Sequence, residues 1–326
     1  MKKSLLMLIA VALLLHLVSQ LSIAWARNGL NIVVTFPFLY NDVKALTCRG
    51  DTVISLVKPG IDPHEYQLTP SDVNVIKEAD LIISTGHAPF EVRIRDLVSS
   101  EQVRGKLVEL PSIEGVTVLK HPQTGAPNYH GIQFYPQNYA LLIETIKSAM
   151  EVLRPECAEV YEANAEKLLQ DLSIINSTVN RPGKLLAVVD LPVLQYVAAW
   201  LGLDVRRVLI KEEGVPITPQ DYIEIERLLS LTKGAVVMVV RGSIAEEKLE
   251  NLAKRYGVLF IALPNPLAYN GTLDYLKTVT QVVSNMSLAT EPSSVKGFSI
   301  STALIIGVVI VVILIVSAVL YTWSRR

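Results

Sequence analysis

Among the side chains of this 326-residue chain, the histidines are the ones whose type and positions are most suited to chemistry. Outside a hydrophobic leading segment the chain has four of them, His64, His87, His121 and His130. His64 and His87 each follow a predicted strand, and ligands of open parallel sheets bind beyond the carboxyl ends of the strands. Neutral imidazole is a common metal ligand, so these positions indicate a metal site. The alternative for each is a solvated loop histidine.

The elements that would position these side chains form two groups. Short β-branched runs alternate with helical stretches, which indicates parallel sheets covered on both faces. The sequence therefore predicts an α/β fold with two lobes, each a parallel sheet flanked by helices. The predicted strands are 30–36, 52–57, 80–84 and 106–110 in the first lobe, and 185–189, 205–210, 235–240 and 258–263 in the second.

Helical periodicity from about 156 to 179 predicts a long helix between the lobes. We expect an N-terminal metal-binding lobe at 29–150, a linking helix at 151–182 and a C-terminal lobe at 183–290. One motif occurs in both lobes, since Thr69 and Thr218 each begin a Thr-Pro-x-Asp helix start. The repeat favours two related lobes, although this helix cap is also common by itself.

The two ends of the chain predict export and anchoring. Residues 1–26 combine two lysines, an apolar run and a small-x-small motif, which is typical of a signal peptide; an uncleaved anchor is the alternative. A spacer at 291–298 precedes an aliphatic segment at 299–323, long enough to span a bilayer. Because Arg325 and Arg326 follow it, we expect a single-pass cell-membrane protein with its body outside and its C-terminus cytoplasmic.

The charge of the exported body excludes some partners. Residues 27–295 hold 25 basic and 31 acidic residues, a net charge of −6. This balance argues against nucleic acid as a partner and is compatible with cation capture. The only two cysteines, Cys48 and Cys157, could form a disulfide outside the cell, but the sequence leaves their pairing open.

Several motifs in order along the first lobe carry a family resemblance. They are VTFPFLY at 34–40, LVKPGIDPHEY at 56–66, TPSD at 69–72 and ADLI at 79–82. The chain resembles the zinc- or manganese-binding substrate-binding proteins of ABC importers over most of residues 29–288. The resemblance implies one metal ion held in a cleft by four side chains, two from each lobe, and an ABC permease as partner.

The resemblance assigns His64 as the first ligand and His130, in NYHGIQFYPQN at 128–138, as the second. The second lobe departs from the family pattern: Asp190 is one position early for a ligand and could instead cap a helix at 193–201. Asn265 stands where the family has an aspartate. His87, in TGHAPFE at 85–91, is a possible replacement ligand.

These observations predict a monomeric extracytoplasmic binding protein that captures zinc or manganese and delivers it to an ABC permease. We do not expect an enzyme, because the sequence has no evident nucleophile and base pair. Two alternatives stay open: a degenerate, metal-free surface scaffold or adhesin of the same fold, and a metal-assisted hydrolase.

Overall fold

The strands form two four-stranded sheets with the same strand order. The structure is a computed structural model and describes residues 29–61, 65–179, 181, 183–211 and 215–289. The first sheet has the order β2-β1-β3-β4 and the second the order β6-β5-β7-β8. The strands are β1 (Asn31–Val34), β2 (Thr52–Ser55), β3 (Leu81–Ser84), β4 (Lys106–Glu109), β5 (Leu186–Val189), β6 (Asp204–Val208), β7 (Val236–Val240) and β8 (Leu259–Leu263).

Every pairing within the two sheets is parallel, which confirms the α/β prediction. The central strands β3 and β7 are buried along their whole length. Strands covered on both faces are continuously apolar, and this is why they were recognisable as such runs. We call the parts that carry β1–β4 and β5–β8 the first half and the second half.

Helices follow or precede the strands in both halves. They are α1 (Tyr40–Leu46), α2 (Pro70–Lys77), α3 (Pro89–Ser99), α4 (Pro136–Leu153), α5 (Ala158–Thr178), α6 (Leu194–Trp200), α7 (Pro219–Leu231), α8 (Glu246–Tyr256) and α9 (Thr272–Ala289). The repeated cap motif forms the same capping box at the starts of α2 and α7, with Thr69 and Thr218 as the capping residues. The internal repeat therefore has the same local structure in both halves.

Helix α5 contacts both halves. Near its start, the Tyr161 hydroxyl donates to Asp51 Oδ2 at 2.8 Å. Near its end, the Trp200 indole donates to Asn176 Oδ1 at 2.9 Å. The helix observed is 158–178, shorter than the predicted 151–182. Residues up to Leu153 belong to α4, a short 3₁₀ turn follows, and the chain becomes extended at Val179.

A disulfide and a buried ion pair fix the start of α5 to the first half. Cys48 is bonded to Cys157, a pairing that the sequence left open. Next to it, the Arg154 guanidinium contacts Asp51 Oδ1 at 2.7 Å. Asp51 also accepts hydrogen bonds from the backbone N–H groups of Leu30 and Cys48, so this buried carboxylate has several donors.

The loop that precedes α4 extends from the first half onto the second. The Gln123 side chain bonds both the N–H and the C=O of Val208 on the edge strand β6, at 3.0 and 2.7 Å. The Tyr196 hydroxyl accepts from Leu119 N–H and donates to Asn128 C=O. The Gln123 bonds satisfy edge groups of β6 that would otherwise need water or another strand. Together with the Tyr196 bonds they join the halves at a second place.

The start of α9 forms a third connection, because it packs on α1. The Asp42 carboxylate accepts from Thr272 N–H at 2.6 Å, and Asn41 N–H donates to Asn270 C=O at 2.6 Å. A carboxylate at a helix start is stabilised by the unpaired N–H groups and the helix dipole there.

The predicted signal peptide (1–26), spacer (291–298) and membrane span (299–323) lie outside the described residues. Within residues 29–61, 65–179, 181, 183–211 and 215–289, no helix combines the length and the apolar character needed to cross a bilayer.

Candidate metal site

The two sheets direct their carboxyl ends toward one cavity of about 660 Å³. The first half contributes aromatic and polar residues that follow β1 and β3 or precede α4: Phe36, Phe38, Thr85, His87, His130, Gln133 and Phe134. The second half contributes residues that follow β5, β6, β7 and β8, among them Leu191, Val193, Ile217, Ile244 and Asn265. The cavity therefore lies where parallel-sheet proteins bind ligands.

His87 is positioned by the turn between β3 and α3, which is organised around the buried carboxylate of Glu91. This carboxylate accepts from the Ser84 and Thr85 hydroxyls and from the N–H groups of Thr85, His87 and Ala88, at 2.7–3.1 Å. The Thr85 hydroxyl has one proton, which it donates to Glu91, so it accepts from His87 Nδ1 at 3.1 Å. His87 is then the Nδ1–H tautomer, and Nε2 is the nitrogen that could bind a metal.

His130 is oriented in the same way by an amide. Asn128 Nδ2 donates to Pro192 C=O and to Gln195 Oε1, both at 2.9 Å, so Asn128 Oδ1 is the acceptor end of this amide. That oxygen accepts from His130 N–H at 3.0 Å and lies 3.2 Å from His130 Nδ1. His130 is thereby also assigned as the Nδ1–H tautomer, through a residue that is itself held by the second half.

The two imidazoles lie together at the cavity. Their ring centroids are 4.9 Å apart, with an angle of 68° between the ring planes. With a metal–nitrogen bond of about 2.0 Å, two imidazoles on one tetrahedral ion have centroids roughly 5 Å apart. The observed separation is thus compatible with both rings binding the same ion.

Asp190, a predicted ligand, does not line this cavity. Its side chain is fully buried, and Oδ2 accepts from Val240 N–H at 2.9 Å, which connects the end of β5 to the end of β7. Burial raises the pKa of Asp190 to about 6, against the opposing effect of hydrogen bonds that include the one from Val240. The expected helix cap is not observed either, since α6 has no side-chain cap.

Asn265, also a predicted ligand, lines the cavity, and its side chain accepts a local backbone hydrogen bond. Asn265 Oδ1 accepts from Leu267 N–H at 2.9 Å and so caps a short 3₁₀ turn after β8. His64 lies outside the described residues. Among the residues that the structure describes, no three His, Cys, Asp or Glu side chains are grouped so that they could hold a metal.

His121 lies apart from the cavity lining and has a local role. It is buried, and Nδ1 accepts from the N–H groups of Gln123 and Thr124 at 3.3 and 3.4 Å. His121 thus stabilises the turn that brings Gln123 to β6.

Sequence reasoning missed the residues that orient the histidines. Thr85 and Asn128 each lie two positions before their histidine, and this spacing is a usable local signal for Thr85. The role of Asn128 depends on contacts with Pro192 and Gln195, more than 60 residues away, which no local pattern indicates.

The family can now be stated. Residues 32–289 match the family described as zinc-uptake complex component A, periplasmic, and the chain belongs to this family. Because the match covers most of the chain, it includes both sheets and every cavity residue named above.

Individual relatives are more distant. The chain is 29% identical over 152 residues to the iron-binding protein YfeA of Yersinia pestis, covering 45% of this chain and 46% of YfeA. It is 26% identical over 153 residues to the manganese-binding lipoprotein MntA of Halalkalibacterium halodurans, covering 47% and 49%. The chain thus spans about half the length of these curated relatives.

Solved structures show the same fold. The Mn²⁺ complex of the binding protein FpvC from Pseudomonas aeruginosa has a TM-score of 0.62 and 20% identity, and the match covers 79% of this chain and 99% of FpvC. At this identity the likeness concerns the fold alone.

The predicted location as a single-pass cell-membrane protein is wrong. The family is described as periplasmic, a relative is a lipoprotein, and within the described parts of the chain no helix could span a membrane. The prediction depended on apolar content at 299–323, and hydropathy alone does not establish a transmembrane helix.

Proposed function

We propose that this protein captures a divalent transition metal ion in the cavity between its two sheets and delivers it to an ABC permease, without catalysing a reaction. The observation that carries the proposal is the meeting of His87 and His130, from two separate loops, in the cavity of a fold shared with metal-uptake proteins. His64 is the expected third imidazole. Imidazole nitrogens suit zinc, iron and nickel, whereas manganese prefers oxygen ligands.

The hydrogen bonds around the two rings support this function. Metal binding requires neutral imidazole, and a hydrogen-bond acceptor at Nδ1 fixes the tautomer and the ring orientation so that Nε2 presents its lone pair. Thr85 with Glu91 supplies this for His87, and Asn128 supplies it for His130. Protons compete for the same nitrogens, so affinity should fall as the pH is lowered.

The test is calorimetric titration of the purified full-length protein with Zn²⁺ and with Mn²⁺, with metal content measured by elemental analysis. We expect His130→Asn and His87→Asn each to weaken binding roughly 100-fold, since even the loss of a group that hydrogen-bonds a ligand costs about 10- to 100-fold. His121→Asn is the matched control, because it keeps an acceptor for Gln123 N–H and lies outside the cavity.

Equal affinity in all three variants would show that the metal binds elsewhere. A protein that retains no metal and binds none in titration would favour the metal-free scaffold.

A further inference from the structure

The wall that the second half contributes to the cavity is almost entirely apolar. Leu191, Val193, Ile210, Val215, Ile217 and Ile244 line it, with Ser243 and Asn265 as its polar side chains. Two of these apolar residues are well exposed, Val215 at 45% and Ile244 at 84% of their surface. Exposed apolar side chains that converge on one cavity mark a ligand site more than a stabilising core.

This wall is a poor environment for a bare or hydrated ion. Asn265 Oδ1 already accepts from Leu267 N–H, and Asp190 is turned into the protein interior. No carboxylate of the second half lines the cavity among the described residues. An ion on the imidazoles would therefore keep water on the side that faces this wall, and apolar surface in contact with ordered water is unfavourable.

The size of the cavity leads to the same conclusion. Six water molecules around an ion take up roughly 180 Å³, at about 30 Å³ each. The cavity measures about 660 Å³, which is in the range of sites for organic ligands of moderate size. An ion with its water shell would leave most of the space to solvent.

We propose that the cargo is a divalent metal already bound to a small organic chelator, with the metal at Nε2 of His87 and His130 and the apolar body of the chelator against Val193, Val215 and Ile244. The proposal rests on the proposed function and deepens it. On binding, two imidazole nitrogens replace water on the metal, and the chelator keeps its own bonds to it. The chelator supplies donors that the described residues of the second half do not place in the cavity.

The test compares three probes in calorimetric titration of the full-length protein: Zn²⁺ alone, the preformed 1:1 complex of Zn²⁺ with terpyridine, and terpyridine alone. Terpyridine is a flat aromatic chelator that leaves coordination positions on zinc open. We expect the complex to bind at least about tenfold more tightly than Zn²⁺, the gain from burying some 60 Å² of apolar surface. Terpyridine alone should bind far more weakly than the complex.

Ile244→Asp supplies the decisive variant, because Ile244 is exposed and its replacement should not affect folding. It should weaken binding of the complex about tenfold and leave Zn²⁺ binding unchanged or stronger, since a carboxylate is a metal ligand. The matched control is Ile223→Asp, which replaces a 55% exposed isoleucine of the same half outside the cavity lining and should change neither affinity.

The outcomes separate the two proposals. If Zn²⁺ binds as tightly as the complex, or terpyridine strips zinc from the protein, the chelate proposal is overturned and metal capture stands. If terpyridine alone binds as tightly as the complex, the metal is not part of recognition and the chelate proposal fails. If none of the probes binds, both proposals fail.

Discussion

The two halves of this protein have the same strand order and the same capped helix, yet they contribute opposite chemistry to the cavity between them. The segment after β3 holds His87 in a network of hydrogen bonds centred on Glu91. The corresponding segment after β7 presents Gly242, Ser243 and Ile244. The fold determines where a ligand binds, and the side chains at the strand ends determine what it is.

The halves also differ in how they are stabilised. The first half contains a disulfide and the buried Asp51–Arg154 ion pair. The second half depends on apolar packing of α7 and α8 on β7, in a cluster that includes Val237, Ile225 and Leu249. Five predictions, in order of decreasing effect, test these differences in stability and in metal binding between the two halves.

The largest effect should come from removing the disulfide. The double change Cys48→Ser and Cys157→Ser should lower the free energy of unfolding by about 4 kcal/mol, since the bond closes a segment of 109 residues. Denaturant unfolding measures the change, and reduced wild-type protein is the control. Zinc affinity should be unaffected. Unchanged stability would mean that the first half does not depend on its covalent link.

Glu91→Gln should lower the free energy of unfolding by about 2–3 kcal/mol. The buried carboxylate accepts five hydrogen bonds, and in glutamine one of its oxygens is replaced by an NH₂ group that faces other donors. The same change should weaken zinc binding at least about tenfold, roughly the cost of losing other groups that orient a metal ligand through hydrogen bonds. Thermal unfolding and titration give the two readouts. A variant that loses stability but keeps full affinity would show that Glu91 does not position His87.

The third prediction concerns the contact between α1 and α9. Burial raises the pKa of Asp42 to about 7, from an ordinary value of 3.8. Because the folded state holds the proton more tightly, the contribution of Asp42 to stability is full below about pH 4 and is lost as the pH rises through 7. The slope should be at most about 1.4 kcal/mol per pH unit.

Asp42→Asn should flatten this part of the pH profile, since asparagine cannot ionise and can still accept from Thr272 N–H. Denaturant unfolding between pH 4 and 8 checks it. Asp274→Asn, at a nearby exposed carboxylate, is the control and should retain the slope. If the slope is unchanged in Asp42→Asn, the pH dependence of stability comes from another ionisable group.

Asn265→Asp should place a carboxylate in the wall that the second half contributes to the cavity, where the described residues have none. The new side chain can still accept from Leu267 N–H, so stability should be nearly unchanged. A carboxylate in the cavity should raise affinity for free Zn²⁺ about tenfold, equivalent to about 1.4 kcal/mol. Asn265→Ser, which keeps an acceptor without charge, is the control. If the affinity for Zn²⁺ does not rise, the metal lies too far from residue 265 for its carboxylate to bind it.

Asp190→Asn should have the smallest effect on metal binding. Its side chain is turned away from the cavity, so zinc affinity should stay within roughly twofold of wild type. Titration decides between this expectation and the sequence-based prediction that Asp190 is a ligand. A loss of 100-fold or more would restore the ligand role.

The sequence predicted most of the fold because the signals for it are local. All eight strands lie within a few residues of their predicted positions, since doubly covered parallel strands are uninterrupted apolar runs. The helix starts at Thr69 and Thr218 were predictable for the same reason, because a capping box joins groups only three residues apart.

The candidate site was only partly predictable. His87 and His130 were singled out by type and position, and both line the cavity. The direction of the Asp190 side chain was not predictable, because it depends on the Val240 N–H group of a strand 50 residues further along. The apolar wall was missed as well, since Val193, Val215 and Ile244 belong to three different loops.

By itself the sequence determined the strands, the helix caps, the acidic charge and the candidate metal ligands, because these properties depend on residue type and near neighbours. Only the tertiary structure decided which residues share the cavity, that Cys48 meets Cys157, and that a wall with two histidines faces an apolar wall. Those features require contacts between segments distant in sequence, and their geometry follows from how the two sheets and the helices between them pack.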